Sequence, residues 1–68
     1  MENTIGQKIK VLRVKHGYTQ EQMGNEIGVT QSNYGRLEKK YKRINVVTLK
    51  FLAKFFNVPV THFFENGS

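Results

Sequence analysis

Several hydrogen-bonding side chains occur close together near the middle of the chain, namely Gln31, Ser32, Asn33 and Arg36. The surrounding residues have a helical pattern in which Tyr34 and Leu37 face inward, so the four polar side chains would share the outward face. Amide, hydroxyl and guanidinium groups form hydrogen bonds in defined directions. This face is therefore suited to recognising a polar partner, and the alternative is an ordinary solvated helix surface.

The chain shows no residue pattern that predicts catalysis or a metal site. It has no cysteine, and its two histidines and five acidic residues form no ligand cluster. It has no glycine-rich phosphate loop and no Ser–His–Asp set with a supporting motif, and 68 residues leave little room for a substrate pocket. We therefore predict that the protein is not an enzyme and uses no cofactor, metal or small-molecule ligand.

Basic residues are concentrated at the end of the polar face and directly after it. Five of the eleven Lys and Arg residues fall within eight positions, and the formal net charge is +6. These five are Arg36, Lys39, Lys40, Lys42 and Arg43. Such clustering indicates a polyanionic partner, with nucleic acid ahead of a membrane surface. The alternative, a solubility charge, would be spread more evenly.

Nothing in the chain predicts export or membrane insertion. Gln7, Lys8 and Lys10 interrupt the first apolar positions, and no run approaches the roughly 20 apolar residues that a membrane span needs. The lack of cysteine fits a reducing compartment. We expect a soluble cytoplasmic protein with no membrane partner.

Residues 19–38 carry the start and stop signals of two short helices. Thr19 and Gln22 have the spacing of a capping box, in which each side chain bonds the other residue's backbone N–H. Thr30 offers a second cap, and Gly28 stands where a left-handed residue would end the first helix. The predicted helices are Gln20–Ile27 and Gln31 to about Lys39. Together they form a helix-turn-helix pattern.

Three further elements complete the predicted fold. A first helix runs from residue 3 or 4 to about residue 16, with an apolar stripe of Ile5, Ile9 and Leu12. A fourth helix is capped by Asn45 and ends near Phe56. About one more turn follows at Val60–Phe64. We predict a single domain over residues 1–68, with a frayed tail at about 65–68. The predicted fold is all-α, a compact five-helix bundle in which helices 2 and 3 form the helix-turn-helix.

These residues resemble the small helix-turn-helix domains of the Cro and phage-repressor type. The resemblance covers residues 5–64 and is carried by Arg13, Thr19, Gln20, Gly24, Ile27, Gly28, Val29, Thr30, Leu37, Glu38, Thr48, Leu49, Ala53 and Val58. It implies a fold like that of lambda repressor, with double-stranded DNA as the partner.

The resemblance also implies roles for individual residues. Gln31, Ser32 and Asn33 would read base edges in the major groove, and Arg36 would reach a base or a nearby phosphate. A phosphate contact is implied for Gln20, and we predict further phosphate contacts for Thr30, Lys39, Lys40, Lys42 and Arg43. Arg13 and Glu38 would form a largely buried ion pair with a structural role.

Three positions depart from the family pattern. Gly35 replaces a residue with a side chain in the third helix, Lys39-Lys40-Tyr41 replaces a glycine-containing loop, and Asn45 stands where proline is frequent. These departures affect the expected phosphate contacts more than the expected fold.

The fourth helix has a second apolar row opposite its core stripe, formed by Val47, Phe51 and Phe55. In one interpretation the chain's own Phe63 and Phe64 cover this row. In the interpretation we favour, the surface of Val47, Phe51, Phe55, Phe63 and Phe64 is a homodimer interface. A two-fold dimer would place two recognition helices about 34 Å apart.

The sequence thus predicts a sequence-specific, double-stranded DNA-binding transcriptional regulator that acts as a homodimer on a near-palindromic operator. A repressor and a restriction–modification controller both fit this prediction. The alternatives are an antitoxin-type regulator and a protein-interaction module that uses the helix-turn-helix only as a scaffold.

Overall fold

The structure is a computed structural model that describes residues 4–39 and 44–64. These residues form α1 (Ile5–Lys15), α2 (Gln20–Ile27), α3 (Gln31–Lys39), α4 (Val46–Phe56) and a 3-10 segment (Val60–Phe64). The all-α prediction is confirmed for the described residues. The longest α-helices have eleven residues, and no helix in the described ranges has the length and apolar character needed to span a membrane.

The predicted count of five helices was wrong, because the described residues contain four α-helices and the fifth element is only a 3-10 segment. Asn57 ends α4 in the left-handed conformation, with φ 59° and ψ 47°. Pro59 follows and has no backbone N–H to continue a helix. The next five residues close a tighter 3-10 turn, in which His62 N–H donates to the Pro59 carbonyl at 2.9 Å.

The predicted helix caps are present in the structure. Thr19 Oγ1 accepts from Gln22 N–H at 3.1 Å, and Thr19 N–H donates to Gln22 Oε1 at 2.8 Å, which completes the capping box. Thr30 Oγ1 accepts from Asn33 N–H at 3.1 Å, and Asn45 Oδ1 accepts from the backbone N–H of the second residue of α4 at 2.7 Å. Each cap fixes a helix start through a local contact that the sequence already encodes.

The turn between α2 and α3 depends on two glycines. Gly28 has φ 78° and ψ 31°, and Val29 N–H reaches back to the Gly24 carbonyl at 2.8 Å, as in a Schellman motif. A Cβ at Gly24 would lie 2.9 Å from the Val29 carbonyl oxygen and 3.2 Å from that of Thr30. Glycine at position 24 is therefore needed for the close approach of the turn backbone, which leads directly into α3.

The hydrophobic core receives side chains from all four α-helices and the 3-10 segment. Its buried members are Ile9, Leu12, Met23, Tyr34, Leu49, Leu52, Ala53, Phe56 and Phe63. Ile5, Ile27 and Leu37 pack at its edge and are half-buried. Burial of each large apolar side chain contributes about 1.5–3 kcal/mol, so this small core is the main force that holds the helix-turn-helix in position.

Candidate nucleic-acid interface

One face of α3 is anchored and the other is open to solvent. Tyr34 and Glu38 are buried on the anchored face, and Leu37 is half-buried beside them. The side chains of Gln31, Ser32, Asn33 and Arg36 are all exposed. The structure therefore brings the four predicted base-reading residues together on the first two turns of one exposed helix face.

The anchored face contains an ion pair between Arg13 of α1 and Glu38 of α3. Arg13 Nε donates to Glu38 Oε2 at 2.6 Å, and Arg13 Nη2 donates to Glu38 Oε1 at 3.3 Å. The two side chains are only 11% and 4% exposed. Arg13 Nη1 also donates to the Tyr18 carbonyl at 2.8 Å, so one guanidinium joins α1, the loop before α2, and α3. This is the pairing that the resemblance implied.

The charges of this pair stabilise each other. The hydrogen bond to Glu38 raises the pKa of Arg13 above its ordinary value, in spite of burial. Burial alone would raise the pKa of the Glu38 carboxyl, but its polar neighbours, of which Arg13 has the largest effect, outweigh burial and hold this pKa below its ordinary value. Both groups are therefore charged at neutral pH, and the bidentate contact fixes the angle between α1 and α3.

Gln20, the first residue of α2, also belongs to this network. Its Nε2 donates to Glu38 Oε1 at 3.1 Å, and its side chain is half-buried. Glu38 therefore takes one of the two N–H groups of the Gln20 amide and sets the orientation of that amide. The second N–H group is available for a phosphate, which is the role predicted for Gln20.

Tyr34 lies against the same ion pair from the core side. Its hydroxyl oxygen is buried and has no hydrogen-bond partner among the described residues. Burial, followed by the neighbouring Glu38 carboxylate, raises the pKa of the phenol far above its ordinary value. Tyr34 is therefore a neutral packing residue.

The predicted phosphate contacts are only partly described. Thr30 caps α3 through its hydroxyl oxygen, and its hydroxyl hydrogen can still donate to a phosphate. Lys39 is exposed at the end of α3, directly beyond the anchored face. Lys40, Lys42 and Arg43 lie outside the described residues.

The residues predicted for a dimer interface separate into exposed and buried groups. Val47 is 74% exposed, Phe51 42% and Phe64 57%, whereas Phe63 is 1% exposed. Phe63 is therefore a core residue of this chain, and its predicted place in the dimer interface was wrong. Phe55 is half-buried between Phe51, with ring centroids 6.0 Å apart, and Tyr18, at 5.3 Å. Val47, Phe51 and Phe64 are therefore open to solvent, and we call these three residues together with the half-buried Phe55 the aromatic surface.

Comparison with known proteins agrees with this architecture. The helix-turn-helix family model matches residues 9–63, which covers the whole helix-turn-helix and all nine buried core residues named above. The chain belongs to the Cro/C1-type helix-turn-helix family.

Several curated relatives share this domain. The chain is 32% identical over 63 residues to an uncharacterized HTH-type transcriptional regulator of Sinorhizobium medicae, covering 93% of this chain and 45% of that protein. It is 33% identical over 60 residues to the competence pilus inhibition repressor of Acinetobacter baylyi, covering 88% and 54%. It is 40% identical over 53 residues to the cryptic phage CTXphi transcriptional repressor RstR of Vibrio cholerae, covering 78% and 48%. The chain thus spans about half the length of these relatives.

Two features of this helix-turn-helix domain were not predicted from the sequence. The contact between Gln20 and Glu38 joins residues 18 positions apart and has no local signal. The second feature is a cleft beside Gly35, to which α1 contributes Gln7 and Lys10. The positive charge of Lys10 was visible in the sequence, but its distance from the basic cluster after α3 gave no reason to place the two together.

Proposed function

We propose that this chain binds double-stranded DNA in a sequence-specific manner and regulates transcription as a repressor. The observation that carries the proposal is the pairing of an exposed polar face on α3 with an opposite face held by the Arg13–Glu38 ion pair. A surface that reads bases must hold its side chains in fixed positions, and an anchored helix provides this. Membership in the helix-turn-helix family and the repressor names of two relatives support the same function.

The exposed side chains divide into base-reading and phosphate-binding groups. Arg36 suits guanine O6 and N7, and the amides of Gln31 and Asn33 suit adenine N6 and N7, with Ser32 adaptable to either. Each good bidentate contact provides about 1–3 kcal/mol of discrimination against a wrong base. Gln20, Thr30 and Lys39, with Lys40, Lys42 and Arg43, would contact phosphates and set the register of α3 in the major groove.

The regulator would act as a homodimer. The aromatic surface supports this proposal, because Val47 and Phe51 lie four residues apart on one face of α4 and remain exposed together with Phe64. A two-fold dimer would present its two α3 helices to successive major grooves, about 34 Å apart, on a near-palindromic operator. Occupancy of that operator would then repress transcription.

The same surface favours one second candidate, a protein-interaction module that holds a different protein on the aromatic surface. The two candidates differ in what α3 does. Under this second function the polar face of α3 is only solvated surface, and binding to duplex DNA would show no sequence preference. A protein that reads bases through α3 and also binds another protein through the aromatic surface would still prefer one DNA sequence.

Among regulators, a phage-type repressor, a restriction–modification controller and an antitoxin share this small architecture. The name of one relative, the cryptic phage transcriptional repressor, favours the first of these. The neighbouring genes would distinguish them, since an endonuclease and methyltransferase pair accompanies a controller and a toxin gene accompanies an antitoxin.

The experiment that tests the proposal is selection of bound duplexes from a random DNA pool. We expect enrichment of one motif with two-fold symmetry and half-sites about 10 base pairs apart, centre to centre. The change Lys50→Ala, at an exposed lysine of α4, is a control that we expect to leave the motif unchanged. Retention of DNA without any enriched motif, or no retention at low salt, would contradict sequence-specific regulation.

A further inference from the structure

A cleft of about 370 Å³ lies where α1, the start of α2 and the second half of α3 meet. Gln7 and Lys10 line it from α1, Gln20 from α2, and Gly35, Glu38 and Lys39 from α3. Gln20 and Lys39 are both phosphate-binding residues under the proposed function, so the cleft borders the DNA interface. Gln7 and Lys10 have no role in that interface so far.

The charge of the cleft suits an anion. Lys10 and Lys39 are exposed cations on two different helices, and both line the cleft. The one carboxylate in its lining, Glu38, is already paired with Arg13 at 2.6 Å. The two ammonium groups therefore dominate, and a group that carries negative charge and only accepts hydrogen bonds would be attracted to this position.

Gln20 adds a donor whose direction is fixed. Its Nε2 donates one hydrogen to Glu38 Oε1 at 3.1 Å, which leaves the second hydrogen of the same amide group. Gln20 is also the first residue of α2, at the positive end of that helix. A phosphate in the cleft would thus meet an oriented amide and two ammonium groups, and these come from three different helices.

Gly35 keeps the cleft open beside Gln20. A Cβ at position 35 would have its nearest neighbour, Gln20 Oε1, at 3.5 Å, which is an ordinary van der Waals distance. The backbone of Gly35 is helical, and its φ is not positive. Neither space nor conformation therefore requires glycine here, although glycine weakens a helix relative to alanine. What its missing side chain does provide is room in the cleft.

We propose that this cleft holds one phosphate group of the DNA backbone, bound by Lys10, Lys39 and the Gln20 amide, so that α1 is part of the DNA interface. This inference rests on the proposed function, since it deepens the DNA contact of the same surface. It assigns Lys10 as a phosphate-binding residue and Gly35 as the residue that admits the phosphate.

The first test compares Lys10→Ala with Lys15→Ala, a matched change at an exposed lysine of α1 that does not line the cleft. Binding of the selected duplex is measured as a function of salt concentration. We expect Lys10→Ala to reduce the slope of log K against log salt by about 0.9, the contribution of one phosphate contact, and Lys15→Ala to leave it unchanged. Thermal unfolding of both variants, with both midpoints close to that of the unchanged protein, verifies that the fold is intact.

A second readout locates the phosphate. Ethylation of one backbone phosphate should interfere with binding of the unchanged protein and of Lys15→Ala, but no longer with binding of Lys10→Ala. Equal slopes and equal interference patterns for the two variants would overturn the assignment of Lys10 while the sequence preference of the protein stands. If the unchanged protein bound no duplex DNA at all, that result would instead contradict the proposed function itself.

The third test uses Gly35→Ala, which places a methyl group in the cleft. We expect the midpoint of thermal unfolding to rise, because alanine favours the helix, and the affinity for the selected duplex to fall several-fold. A rise in both quantities would overturn the role of Gly35. This combination of a more stable fold with weaker binding cannot result from partial unfolding.

Discussion

Arg13 Nε lies 2.6 Å from Glu38 Oε2, and this contact joins α1 to α3 at a point where both side chains are nearly buried. Loss of one partner leaves the other charge buried without compensation, which costs about 3–5 kcal/mol. We therefore expect Glu38→Leu and Arg13→Met each to lower the free energy of unfolding in urea by that amount. For a domain of this size, this is a large part of the total stability.

The double variant Arg13→Met/Glu38→Leu is the matched control for this prediction. It removes both charges and fills the space with apolar side chains, which is often close to neutral for stability. We expect it to be more stable than either single variant. If the double variant is destabilised by the sum of the two single-variant losses, the two residues do not act as a pair.

The ion pair also predicts how stability depends on pH. Because the pKa of Glu38 in the folded protein is lower than its ordinary value of 4.5, the unfolded chain takes up a proton first as the pH falls. The contribution of Glu38 is fully present above about pH 4.5 and is lost as the pH falls through the lower, folded pKa. We expect the unfolding midpoint of the unchanged protein to fall more steeply between pH 6 and pH 3 than that of Glu38→Gln. Glu26→Gln, at an exposed glutamate of α2, should keep the steep dependence.

Gly24 and Gly35 provide a pair of identical substitutions with opposite expected effects on stability. A Cβ at Gly24 would lie 2.9 Å from the backbone oxygen of Val29, so Gly24→Ala must displace the turn, at a cost of about 1–3 kcal/mol. A Cβ at Gly35 meets only an ordinary contact, so Gly35→Ala should gain up to about 1 kcal/mol from helix propensity. Urea unfolding of both variants measures the difference, and equal shifts of the same sign would contradict the assigned role of Gly24.

Signals between near neighbours in the sequence predicted most of the fold. The capping box of Thr19 and Gln22 and the left-handed Gly28 act within one helix turn, so their residue types predict the structure directly. The fifth element was harder to predict, because five residues after Pro59 can form an α-helical or a 3-10 turn with the same apolar pattern. The structure has the 3-10 form.

The candidate site was predicted less completely, because part of it depends on tertiary contacts. The exposed face of α3 follows from helical periodicity, as the burial of Tyr34 and the exposure of Arg36 show. The contact of Gln20 with Glu38 depends on how α2 crosses α3, and the burial of Phe63 depends on how the 3-10 segment folds back. Apolar character alone could not distinguish Phe63, in the core, from Phe64, on the surface.

The aromatic surface predicts that the protein self-associates. Phe51→Ser removes an exposed aromatic ring from this surface, whereas Val11→Ser removes an exposed apolar side chain from α1, outside it. We expect Phe51→Ser to raise the dissociation constant of the dimer at least about tenfold, which corresponds to about 1.4 kcal/mol. Val11→Ser should leave it unchanged. Analytical ultracentrifugation at micromolar concentration measures both, and a monomer for the unchanged protein would contradict the homodimer.

The central claim is that the exposed face of α3 reads bases, and Arg36→Ala tests it most directly. Binding of the unchanged protein and of Arg36→Ala is measured on the selected duplex and on duplexes that each carry one changed base pair. We expect the unchanged protein to lose about 1–3 kcal/mol at the base pair that Arg36 contacts, and Arg36→Ala to be indifferent to that base pair while it still discriminates at the others. If the affinity of Arg36→Ala falls by the same factor on every duplex and every base preference is retained, the claim is contradicted.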